Sequence, residues 1–235
     1  MFDRIKKAFS REGAASAAPA GASVLPPSSR LDSSAVSEWA ATQGFGFTVQ
    51  GGGGTMQLEG KVGGKPWRLE LGKPSRKFIR GEELRARAEL GVDEDAAVLV
   101  MNRPLKEALE KQAYSMYTDS LQTTADPNLP EEMRWLAMYQ EFGWDSLPRE
   151  FWGRYSVLAD QRENALAWID PALARMMMEW PMPGPDAEVP FMLMMLRGKA
   201  YLRMEYMPAD IPTLEHAALI FTSACEAAIG GLPRP

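Results

Sequence analysis

The sharpest pattern in the chain is an alternation: Met56, Leu58, Gly60 and Val62 stand against Gln57, Glu59 and Lys61, and a Gly63-Gly64 pair follows. A period of two ending in glycines predicts a β-hairpin, and its two-residue turn sets the register. Gly60 then faces Trp67, Leu58 faces Leu69 and Met56 faces Leu71 on the buried side, while Glu59 meets Arg68 on the other. An indole over a glycine and opposite charges across the strands agree with that pairing.

Ahead of the hairpin, Ser34 to Ala41 reads as a helix ended by Gly44, whose missing Cβ suits a left-handed cap. Gly51 to Gly54 forms a loop leading into the hairpin. Further on, Leu84, Ala86, Ala88 and Leu90 alternate with Arg85, Arg87 and Glu89, and an apolar run from Ala96 to Met101 follows the turn-like Gly91 to Asp95. Together they predict a second hairpin. Pro104 begins a helix that reaches about Tyr117, with Leu105 and Leu109 on one face. Pro130 opens another, with Glu131 and Glu132 in its first turn and Gly143 at its end. Asp170-Pro171 caps a third, lined by Leu173, Met176, Met177 and Trp180.

A third hairpin turns at Arg197-Gly198, setting Leu193 against Leu202, Phe191 against Met204 and Val189 against Tyr206. The opposite face carries Met192, Met194 and Leu196 against Arg203, Tyr201 and Lys199, so the strand Val189 to Leu196 is apolar on both sides. Either the helix around Leu173 to Trp180 covers that outer face, or the face is open to a partner or a second copy. A helix from Pro212 to Ala228 closes the chain, striped by Leu214, Ala217, Ala218, Phe221, Cys225 and Ala228. Hairpins and helices in separate runs predict an α+β fold of antiparallel β-hairpins packed with helices.

Residues 13 to 30 are Ala, Ser, Pro and Gly with little apolar bulk, which predicts a flexible leader over 1–32. At its start Phe2, Ile5 and Phe9 fall at helical spacing among Arg4, Lys6 and Lys7, an amphipathic tip suited to weak contact with an anionic membrane. Asp126-Pro127 divides the remainder into 33–126 and 127–235, as two α+β subdomains or as one domain.

Charge and composition narrow the functions. The 235 residues carry a formal net charge of -5, which disfavours binding to nucleic-acid phosphates. The longest apolar stretch, Val189 to Leu196, is far below the roughly 20 residues of a membrane-spanning helix. Met1 to Ser10 lacks the apolar core of a signal peptide, so a cytoplasmic location is expected.

A single cysteine and a single histidine exclude an intramolecular disulfide and a zinc site of ordinary composition, and no cofactor is expected. Gly64-Lys65 is followed by Pro66 rather than Ser or Thr, so it is no phosphate loop. Cys225 lies in the apolar stripe of the last helix and His216, nine residues earlier, on the opposite face, so they form no catalytic pair.

Two features remain. Arg80, Arg85 and Arg87, with Glu82 and Glu83, are the densest charges of the body, either the solvent face of a strand or a site for an anion or ligand. Nine of the 15 methionines fall between Met176 and Met207, and adaptable binding surfaces overuse methionine. The sequence therefore reads as a non-catalytic binding or adaptor protein. It would engage a protein partner or its own copy through Met192, Met194, Leu196 and Tyr201, through Phe2, Ile5 and Phe9, or through both. The alternative is an enzyme or small-ligand-binding protein whose site is built from Arg and Glu residues distant in sequence.

Overall fold

The computed structural model describes residues 31–51, 54–119 and 130–234. Helix α1 (Ser33–Gln43) starts at Asp32, whose carboxylate accepts the N–H of Ser34, and ends at Gly44, where φ is 71°. Strands β1 (Gly46–Gln50), β2 (Thr55–Val62), β3 (Lys65–Gly72), β4 (Glu83–Glu89) and β5 (Val98–Asn102) follow, and then helices α2 (Arg103–Asp119) and α3 (Glu131–Met138). Next come β6 (Gln140–Phe142), α4 (Arg149–Arg154), β7 (Tyr155–Ala159), α5 (Arg162–Trp168) and α6 (Pro171–Met178). The hairpin of β8 (Phe191–Leu196) and β9 (Lys199–Glu205) leads to α7 (Ile211–Gly231).

Among the described residues nine strands make one antiparallel sheet, in the order β1-β2-β3-β4-β9-β8-β5-β7-β6. With seven helices among the described residues the fold is α+β. The first hairpin has the expected register, Gly60 against Trp67 and Glu59 against Arg68. The third does too, with Leu193 against Leu202 and Met194 against Tyr201, although its pairing begins at Phe191 and leaves Val189 outside.

Two expectations are corrected. The runs Leu84 to Leu90 and Ala96 to Met101 do not form a hairpin: β4 lies between β3 and β9, and β5 lies between β7 and β8. Alternation identifies a strand but not its neighbour, and both runs find longer or more apolar partners than each other. The helix that opens at Pro130 stops at Met138 rather than at Gly143, because Gln140 to Phe142 pair with β7 at the sheet edge.

The two faces of the sheet are covered unequally. On one, every strand from β2 to β7 contributes apolar side chains, among them Leu58, Leu69, Ala86, Leu202, Leu193 and Val157, to a core roofed by α1 and α4–α7. Helix α7 crosses this face, touching β2, β4 and β9. It begins at Asp210, whose carboxylate accepts the N–H of Thr213 at 2.8 Å, and it ends at Gly231, where a Cβ would overlap the carbonyl of Ala167 on α5. On the second face a smaller core of Leu99, Met101, Leu158, Met192 and Met194 is covered by Leu105 and Leu109 of α2 and by Met133 and Trp135 of α3.

Candidate functional site

The second face changes character along one row of directly opposed residues: Glu59, Arg68, Arg87, Tyr201, Met194, Leu99 and Leu158, from β2 to β7. The row is charged as far as β4 and apolar from β8 onward, with Tyr201 at the change. The cause is cover, since α2 and α3 lie over the apolar strands and leave β4 and β9 open to water.

Where α3 meets the open strands there is a cleft of about 470 Å³. Its wall is Arg134, Trp135 and Met138 of α3 with Tyr139 at the helix end, and Met194, Leu196 and Tyr201 form an apolar floor. Arg76, Arg197 and Arg203 close it on the polar side, together with Glu94, Asp95 and Glu131.

Two of the four arginines are engaged within the protein. Arg203 Nη1 lies 2.8 Å from Glu83 Oε1 and donates to Ser75 Oγ at 2.7 Å. Arg76 lies 3.2 Å from Glu131 Oε2 and 2.8 Å from Glu132 Oε1. By contrast, among the described residues Arg134 and Arg197 have no ion-pair partner, and the Nε of Arg134 is buried without a hydrogen bond. Arg197 holds the third hairpin's turn at φ 53°, and Gly198 follows where a Cβ would meet Val92 O at 2.9 Å. The Tyr139 phenol is held above its ordinary pKa by desolvation and by Asp160, with Arg197 opposing. It therefore stays protonated near neutral pH, a hydrogen-bond donor rather than a base.

The residues singled out from the sequence are distributed as follows. Met192 and Met194 are buried, at 0% and 2% exposure. Their cover is α2 and α3 and not the helix around Leu173 to Trp180, which packs against the opposite face. Met192 therefore offers no surface to a partner, and Met194 only the floor of the cleft. Leu196 and Tyr201 are half-buried and line that floor.

Arg85 and Arg87 stand on the open face and share a hollow of about 210 Å³ with Tyr201 and Arg203. Arg85 lies 2.6 Å from Glu70 and Arg87 3.0 Å from Glu89, so each has a carboxylate partner, although Glu70 is shared with Arg68 and Glu89 with Lys199. Arg80 is apart from them, its backbone N–H donating to Glu205 at 3.0 Å. Phe2, Ile5 and Phe9 lie outside the described residues. Arg76, Arg134 and Trp135 belong to the cleft but stand out by no local signal, because four separated segments of the chain assemble it.

A larger hollow of about 740 Å³ lies over Gly60 and Trp67, and each of its arginines has a carboxylate beside it, Arg68 sharing Glu70 with Arg85 and Arg87 sharing Glu89 with Lys199. Cys225 is buried, and burial pushes its thiol pKa up, which makes it a poor nucleophile. His216 lies against Trp180, with ring centroids 4.8 Å apart, and donates from Nε2 to Met176 O at 2.8 Å. Among the described residues no three His, Cys, Asp or Glu side chains are placed to hold a metal ion. Nor is any described helix long and apolar enough to cross a membrane.

No protein-family model matches the chain, and no curated protein sequence matches it. Among solved structures the chain is similar to the crystal structure of the mycobacterial trehalose monomycolate transport factor A, TtfA. That alignment covers 86% of this chain and 97% of that one at 9% identity, with a TM-score of 0.49. A likeness at that level carries no argument about function.

Proposed function

We propose that this chain is a non-catalytic binding protein that takes its partner in the cleft between α3 and the open strands. The observation that carries the reading is the pair of guanidiniums, Arg134 and Arg197, that lack partners beside an apolar floor. Arg134 is half-buried, with its Nε cut off from water and unbonded, while Arg197 is exposed to water. An incoming anion gives the first the partner it lacks and both of them charge-assisted hydrogen bonds. The remaining titratable lining positions and orients a ligand. The protonated Tyr139 donates a hydrogen bond, while Arg76 and Arg203 are occupied by carboxylates.

An adaptor role with a protein partner is the second form of this reading. It is favoured by Met138, which is 68% exposed on the α3 wall and able to adapt to varied apolar contacts. A cytoplasmic setting and a weak membrane contact through residues 1–10 belong to the same proposal.

The test is site-specific photocrosslinking in the native host, with p-benzoylphenylalanine in place of Met138. A control carries it in place of Leu219, exposed on α7 across the molecule. A discrete adduct is expected at position 138 and not at 219, and it should vanish when Arg134→Gln and Arg197→Asn are added. Intact-mass spectrometry then distinguishes a small-molecule adduct from a protein one. Equal labelling at both positions, or an adduct at 138 indifferent to the arginines, overturns the proposal.

A further inference from the structure

We infer that the ligand of the cleft is a compact organic anion: one carboxylate or sulfonate group on an aromatic or short aliphatic body. The inference rests on the reading of the cleft as the binding site and goes further by naming the chemistry that fits it.

Three features of the site select that class. The first is size, since about 470 Å³ is the volume of a small-ligand pocket. The second is the division of the lining. Met194, Leu196 and Trp135 give one side an apolar surface, while the free positive charge is confined to Arg134 and Arg197. A ligand that satisfies both must carry its charge at one end and apolar surface at the other. The third is the limit on charge. Glu94 and Asp95 are exposed on the same lining, and Arg76 and Arg203 are already paired with carboxylates. Two free guanidiniums match one anionic group in a bidentate or bridging contact, and the nearby carboxylates repel further negative charge. The lining thus admits a monoanion and disfavours nucleic acid or an acidic polymer.

Arg134 adds a separate signature. A buried N–H without a partner destabilises the free protein, and a ligand that accepts from it removes that penalty. A site tuned for binding rather than for stability should therefore become more stable when the orphaned donor is deleted.

The experiment is competition for 8-anilinonaphthalene-1-sulfonate, an aromatic sulfonate, on the full-length chain. Saturable fluorescence enhancement is expected. 2-Naphthoate should displace the dye, whereas 2-naphthalenemethanol lacks the charge, acetate lacks the body, and polyglutamate exceeds both the size and the charge, so none of the three should.

Two double variants each remove two positive charges. Arg134→Gln with Arg197→Asn should weaken 2-naphthoate about 10–100-fold, the cost of lost charge-assisted hydrogen bonds. Arg68→Ala with Arg87→Ala, on the neighbouring hollow, should leave it within about twofold, which separates the cleft from the general field of the protein. Arg134→Met should raise the melting temperature of the unliganded protein while weakening 2-naphthoate; this pairing shows that the weakening is not misfolding.

Equal displacement by the alcohol, or equal loss in both double variants, overturns the inference. If the dye and naphthoate do not bind while the arginine-dependent adduct at position 138 is a protein, the ligand class is wrong and the cleft remains the binding site. If neither binding nor the adduct is seen, both fail.

Discussion

Glu83 organises the open face. Arg85 and Arg203 are directly opposed on β4 and β9, and like charges at that spacing repel. The Glu83 side chain, fully buried, takes the Ser75 N–H at 2.6 Å and Arg203 at 2.8 Å, and it lies 3.7 Å from Arg85. It ties the loop after β3 to the sheet as well as offsetting part of the repulsion between the two guanidiniums. Replacing Glu83 with Ala should cost about 2–3 kcal/mol, somewhat less than the ~3–5 of a wholly buried pair. The reason is that Arg203 keeps 20% of its side chain in water and can be partly rehydrated. Urea unfolding of Glu83→Ala with an unchanged midpoint would show that the contact is ornamental. Cys225 offers a second check at this scale. Its thiol is buried in α7, and burial followed by the Glu226 carboxylate holds its pKa high. As the chain's one cysteine it should react with a disulfide reagent only as fast as α7 opens, so rapid labelling of the native protein would contradict this packing.

At the scale of elements, the closest fit in the first hairpin is the one the sequence announces. A Cβ at Gly60 would lie 2.6 Å from Trp67 Cζ2, and the indole cannot retreat because Phe45 packs on it edge-on, centroids 4.9 Å apart. Gly60→Ala should therefore destabilise by roughly 1–3 kcal/mol, the usual cost of overpacking. Thermal unfolding that places it level with wild type would mean the ring has room to move. Registers set by two-residue turns, as here and at Arg197-Gly198, are legible because pattern and turn constrain each other locally. The pairing of β4 and β5 was not legible, because their neighbours β9, β8 and β7 arrive from distant parts of the chain. The strand Tyr155 to Ala159 is buried throughout, so it lacks the alternation by which half-exposed strands declare themselves. Gln140 to Phe142 reads as the end of a helix because three residues satisfy either period, and only the exposed edge of β7 decides between them.

For the whole molecule, the unequal cover of the sheet is the property from which both site and stability follow. The sequence shows one half of it, a strand from Val189 to Leu196 that is apolar on both sides. It does not show which helices supply the second layer or that the layer stops at Tyr201. The cleft arises at that stopping line, from residues near 76, 95, 135 and 197, and no spacing along the chain connects them. The same line should divide the backbone by its resistance to opening. Strands β5, β7 and β8 lie between two cores, and residues such as Leu99, Val100, Val157 and Leu193 are excluded from water on both faces. Strands β1 to β3 have a core on one face and water on the other, and β1 is also an edge strand whose last three residues are exposed. Local opening of β1 and β2 uncovers less apolar surface than opening of the central strands, so it costs less free energy. In native-state hydrogen exchange, amides of β5, β7 and β8 should exchange only through global unfolding. Those of β1 and the paired side of β2 should exchange earlier, with a weaker dependence on denaturant. Protection that is uniform from β1 to β7 would mean that the sheet opens as one unit and that the second layer adds no local stability. Protection greater in β1 to β3 than in β5 would reverse the assignment of the strong and weak halves.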